Sequence, residues 1–152
     1  MKNKTDECDE WIRKIKAVIT DKGKDSDTRF HELIYNAPDT NPQIVVDTIF
    51  STFLHPFDSS VMQACITVLS GYPLEIYTAS YVKILPLLLE TEKTWAIDLF
   101  DYPGKELSPA DVKKIETKIL ERHDGQQILH DLKSEIIYQQ LDQDEPWSFL
   151  TA

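Results

Sequence analysis

The sequence predicts an all-α protein, with antiparallel helix pairs stacked as a short α-solenoid in a single domain over residues 1–152. Three observations carry that expectation. Apolar residues recur at i, i+3, i+4 and i+7 from Trp11 to Ile136, the spacing of one helical face. Cap and turn residues punctuate the pattern at plausible helix lengths. Cap signals near Asp27, Asp58 and Lys93 lie 31 and 35 residues apart. That is the order of period at which helix pairs repeat, each pair burying its apolar face only against the next.

The elements follow in order. Trp11, Ile12, Ile15, Val18 and Ile19 make one face of a first helix, with Gly23 placed to end it at C′. Asp25, Ser26 and Asp27 offer N-caps for a short second helix through Phe30, Leu33 and Ile34, stopped near Pro38. Asn41-Pro42 reads as N-cap and N1 of a third helix, with Val46, Ile49, Phe50 and Phe53 on one face and Asp47 and Ser51 mostly away from it. Asp58-Ser59 caps a fourth, with Val61, Met62, Cys65, Val68 and Leu69 on its stripe. Its β-branched residues make strand the competitor, but strict alternation is absent. A long helix from about Leu74 to Glu90 contains Pro86, which is expected to kink or divide it. Trp95, Leu99 and Phe100 form a short helix closed by Tyr102-Pro103-Gly104. Ser108-Pro109-Ala110-Asp111 opens the next, with Val112, Ile115, Ile119 and Leu120 as its buried stripe. The last uses Ile128, Leu129, Leu132 and Ile136, and from about 142 a flexible tail is expected.

Charge is the strongest functional signal. The chain carries a formal net charge of -10, unevenly spread. Met1 to Arg29 is balanced, with eight basic and seven acidic residues. Phe30 to Val82 has no Lys or Arg but five acids: Glu32, Asp39, Asp47, Asp58 and Glu75. Lys83 to Ala152 adds eight basic and fourteen acidic residues. Any surface built by the middle segment alone is neutral or negative. Such a field repels nucleic acid and anionic lipid and attracts basic proteins.

Other classes find little support. A hydrophobic fraction of 41% beside 28% charged residues is that of a globular protein rather than a disordered one. The start has no apolar run of signal-peptide type, and Ile84 to Leu89 is too short to span a bilayer. Two cysteines make no disulfide framework, so a cytoplasmic protein with free thiols is expected. Cys65 sits on an apolar stripe, and Cys8 between Glu7 and Asp9 is a poor nucleophile. The four histidines have no zinc-site spacing, and the four glycines form no phosphate-binding loop. No catalytic, metal or cofactor site is predicted, and the balanced basic start reads as a salt-bridged face rather than a nucleic-acid footprint.

Acids beside aromatics are more informative. Trp95, Asp98, Asp101 and Tyr102 share one short helix and its exit, and Asp142, Asp144, Glu145 and Trp147 share the C-terminal end. Large anchors beside carboxylates are what a hot spot for a basic partner needs.

The passage SSVMQACITVLSGYPLEIYTASYVKILPLLLET, from Ser59 to Thr91, resembles a degenerate HEAT repeat. It has a small-and-aliphatic first helix, a turn, and a second helix with a proline before a leucine run. A small, acidic, HEAT-like protein of this kind also resembles the immunity proteins of bacterial toxin systems, including contact-dependent growth inhibition. That resemblance implies a cytoplasmic monomer that binds and neutralises one cognate toxin, a basic nuclease for instance, by covering its active site or a nearby surface. On it, Asp47, Glu75, Asp98 and Asp101 would steer and pair with toxin Lys or Arg, and Trp95 and Tyr102 would anchor. The alternative is a generic helical-repeat adaptor whose charge serves only solubility.

Overall fold

A computed structural model describes the backbone of residues 4–101 and 107–151, and the side chains of 6–101 and 107–139. Eight helices account for the ordered elements of that part: α1 (Lys4–Thr20), α2 (Ser26–Tyr35), α3 (Pro42–Thr52), α4 (Ser59–Leu69), α5 (Leu74–Thr91), α6 (Lys93–Phe100), α7 (Pro109–Leu120) and α8 (Gly125–Thr151). The described residues include no strand, so the β-branched run of α4 is helical. Tertiary burial of Met62, Ala64, Cys65 and Leu69 outweighs strand propensity there.

Neighbouring helices pair as α1 with α2, α3 with α4, α5 with α6 and α7 with α8, and the odd-numbered helices also touch in turn, α1 to α3 to α5 to α7. Among the even-numbered helices α2 meets α4 and α6 meets α8, while α4 and α6 make no comparable contact. The most extensive packing is between α3 and α5. These two run parallel: Gln43 reaches Ile76 and Ser80, and Asp47, one turn on, reaches Ser80 and Lys83. The core is continuous from Cys8 and Trp11 to Leu132. Aromatic contacts tie its parts together, with Phe30 stacked on Phe57 at 4.5 Å and Phe50 edge-on to Tyr77 at 4.9 Å between ring centroids.

Several local signals are realised. The Asp58 carboxylate accepts from the Val61 N–H at 3.3 Å. Ser108 and Asp111 form a full capping box, each side chain accepting the other's backbone N–H. Gly125 opens α8 where a Cβ would lie 2.2 Å from the Ile119 carbonyl oxygen, so only glycine permits this close α7–α8 turn.

Other expectations need correction. Of the two outcomes expected at Pro86, division does not occur: α5 is one helix from Leu74 to Thr91, with Leu85, Leu88 and Leu89 buried on either side of the proline. Gly23 is not a left-handed cap: α1 ends at Thr20, whose hydroxyl donates to the Lys16 carbonyl at 2.7 Å, and no described glycine has positive φ. Asn41 precedes Pro42 as expected but makes no side-chain cap bond, and it adopts the left-handed conformation at φ 48°. Leu120 is exposed rather than part of the α7 stripe, since Ile115 and Ile119 take the inward positions. Among the described residues no helix is long and apolar enough to cross a membrane.

Candidate functional site

The residues singled out by charge fall in three separate places. Asp47 is partly buried. It lies in the α3–α5 seam, where Ser80 donates to one carboxylate oxygen and Lys83 approaches the other at 3.2 Å. Gln43 completes the strip by donating to Ser80 Oγ at 2.6 Å and to the Ile76 carbonyl at 3.0 Å. Ser80 is 1% exposed, so the network fixes the register of the two helices. The middle segment is therefore not left to its own charges. Lys83 neutralises Asp47, and Lys22 crosses from the end of α1 to the His55 and Pro56 carbonyls at 3.0 and 3.1 Å, over the Phe57 ring.

Glu75 is exposed in the first turn of α5, facing α7. It shares that groove with Lys113, Lys114 and Lys118, so it does not belong to an acidic surface. Tyr102 lies outside the described residues, as do the side chains of Asp142, Asp144, Glu145 and Trp147.

Trp95, Asp98 and Asp101 come together. They line a cleft of about 820 Å³ where α4 and α6 stand apart, with Ser59, Gln63 and Ile66 on the α4 side and Ile136 of α8 at its edge. Ile97 and Phe100 add apolar wall, and among the described residues no Lys, Arg or His contributes to the lining. Asp98 lies in the last turn of α6 and Asp101, three residues on, is its C-cap, and no hydrogen bond or ion pair engages either among the described residues. Lys93, at the start of α6, is already paired with Glu135 of α8 at 3.3 Å. Partial burial pushes the Asp98 carboxyl up from its ordinary value, and the neighbouring Asp101 charge adds to the shift. Two like charges beside apolar walls are unfavourable on their own and favourable to a cation.

The wall that carries them is rigidly held. At eight residues α6 is too short to be stable alone. Tyr77 and Tyr81 of α5 donate their hydroxyls to the Leu99 and Ala96 carbonyls, each at 2.6 Å. The Leu99 bond satisfies one of the carbonyls that a helix end leaves without an i+4 partner. Both rings are almost fully buried, and Trp95 packs edge-on against Phe53 at 4.8 Å. Trp95 is thus part anchor of the helix and part wall of the cleft. The sequence pattern places Tyr77 on an apolar face but gives no sign that its hydroxyl pins α6. It also gives no sign that Gln63, Ile66 and Ile136, from distant segments, would join Trp95 in one cleft.

Neither cysteine offers chemistry. Burial pushes the Cys65 thiol up to about 12. Cys8 is 2% exposed, and its thiol is raised by that burial first and by the Asp9 charge second. Membership of the core, more than the acidic neighbours in the chain, is what raises it. Among the described residues no group of three or more His, Cys, Asp or Glu could hold a metal ion. No protein-family model, curated protein or solved structure matches this chain.

Proposed function

We propose that this chain is an immunity-type inhibitor, a cytoplasmic monomer that binds one basic toxin and neutralises it, without catalysis, by covering its active site or a nearby surface. The observation that carries the reading is the α4–α6–α8 cleft, where Asp98 and Asp101 stand beside Trp95 and Phe100 without a counter-cation among the described residues. A net charge of -10 adds a long-range field that draws a basic protein in, and the cleft supplies the short-range complement. A nuclease is the favoured target because its phosphate-binding surface is itself rich in Lys and Arg. The succession of helix contacts supports reading the bundle as a short HEAT-like solenoid, with odd helices in one layer and even helices in the other. On that reading the cleft is the gap where the second layer opens between α4 and α6.

The test is affinity capture from native cells over a salt series, followed by expression of the captured protein with and without this chain. The expected result is one small basic partner, released by moderate salt, that arrests growth alone and is harmless on co-expression. Several unrelated partners, or one held regardless of salt, would replace this reading with a helical-repeat adaptor.

A further inference from the structure

The chemistry of the cleft narrows what enters it. A metal ion is a poor fit, since hard cations such as calcium favour several charged oxygen ligands, and among the described residues the lining offers two carboxylates with only the neutral side chains of Ser59, Gln63 and Thr94 beside them. Nucleic acid and phosphorylated groups are repelled by the same carboxylates. A wholly apolar segment would bury Asp98 and Asp101 against a surface that cannot pair them, which is costly. The remaining fit is an organic cation on an apolar stem. The volume of about 820 Å³ lies within the range of roughly 300–1,000 Å³ typical of ligand pockets, larger than one ammonium needs.

Between the two cationic side chains the geometry discriminates. Asp98 and Asp101 sit at i and i+3, so their Cβ atoms are about 5–6 Å apart. A planar guanidinium with five N–H donors can span two carboxylates at that spacing, whereas an ammonium is a compact, strongly hydrated point charge. The guanidinium is also the more weakly hydrated cation, and it stacks on aromatic faces such as Trp95 and Phe100.

We infer that the α4–α6–α8 cleft is an arginine pocket, in which a partner's guanidinium lies across Asp98 and Asp101 while its aliphatic stem and an adjacent apolar residue rest on Trp95, Ile97 and Ile136. This rests on the cleft being the partner-binding surface proposed above. It goes further in naming the group that the partner must present. The partner's contact segment then contains an arginine flanked by an apolar residue, and replacing that arginine by lysine weakens binding.

The experiment uses the full chain labelled with ¹⁵N and three blocked dipeptides: N-acetyl-Leu-Arg-amide, N-acetyl-Leu-Lys-amide and N-acetyl-Leu-citrulline-amide, the last being a neutral near-isostere of the first. Backbone amide and indole shifts are followed during titration of the wild type and of D98N/D101N. Both aspartates are exposed, so the variant keeps the fold, and its circular dichroism checks this. The expected result is saturable shifts confined to α4, α6, α8 and the Trp95 indole for the arginine peptide. The lysine peptide binds about threefold or more weakly, citrulline gives no saturable shift, and D98N/D101N loses about tenfold or more for arginine. Equal response to arginine and lysine, an undiminished response in D98N/D101N, or no saturable shift from any peptide overturns the inference. No toxin is present in this assay. Failure here with growth rescue intact would remove the arginine pocket alone. Success here without growth rescue would remove the immunity reading and leave the pocket.

Discussion

Two acidic positions of this protein, Asp47 and the Asp98–Asp101 pair, look alike in the sequence and differ completely in the fold. Asp47 receives Ser80 on one oxygen and Lys83 on the other, inside the α3–α5 seam. Asp98 and Asp101 receive nothing from the described residues, and among those residues no base lines their cleft. A carboxylate paired by its own chain has its charge spent on register and structure. An unpaired one beside apolar walls remains available to a partner. The distinction depends on whether a distant helix supplies a counter-charge, and local sequence carries no record of that.

The largest effect expected from this contrast is on binding. Charge reversal in D98K/D101K should weaken affinity for a basic partner about a hundredfold at low salt, near 3 kcal/mol, by titration calorimetry. Thermal stability of that variant should be little changed, because neither side chain has a partner among the described residues to lose. Second comes the seam. Ser80→Ala removes the hydroxyl that links Gln43 to Asp47 and should destabilise the fold by about 1–3 kcal/mol in urea unfolding, with partner affinity intact. A stable S80A protein that bound poorly would invert the assignment of the two sites.

A third change joins the two regions. Tyr81→Phe keeps the ring but leaves the Ala96 carbonyl without its hydroxyl donor, for a loss of about 1 kcal/mol in stability. It should also weaken partner binding, because α6 carries the cleft residues. The smallest effect is on pH dependence. The Asp98 carboxyl is raised above the ordinary aspartate value of 3.8 by partial burial and by Asp101. A raised value means that the folded state favours the protonated form. The associated stability is fully present below the unfolded-state value and is lost as pH rises through the folded-state value. Comparing melting temperatures of wild type and D98N through the acidic range should show a small downward step with rising pH in the wild type alone. Partner binding should change in the opposite sense, strengthening as Asp98 ionises.

Much of the helical framework is legible in the sequence, because caps and stripes are local. Ser108, Pro109 and Asp111 announce the start of α7, Asp58 that of α4, and apolar spacing gives the inward faces of α1, α3 and α4. The exceptions are places where distant packing overrides a local rule. Pro86 stays inside α5 because buried leucines flank it, and Cys8 joins the core although acids surround it in the chain. The acidic and aromatic grouping on α6 is also legible, which is why Trp95, Asp98 and Asp101 stand out from sequence alone. What cannot be read there is the gap between α4 and α6, since it depends on which helices fail to touch. The loss of Asp47 to Lys83 is equally hidden, for the two are 36 residues apart.

The most direct test of the account compares neutralisation of the basic partner by three proteins: wild type, D98K/D101K and D47N. Growth of cells expressing the partner is the readout, and the salt dependence of affinity is recorded in parallel. The account predicts rescue by wild type and D47N, failure of D98K/D101K, and affinity that falls with salt in the two active proteins. Full rescue by D98K/D101K with wild-type affinity would contradict it, and would place the binding surface away from the α4–α6–α8 cleft.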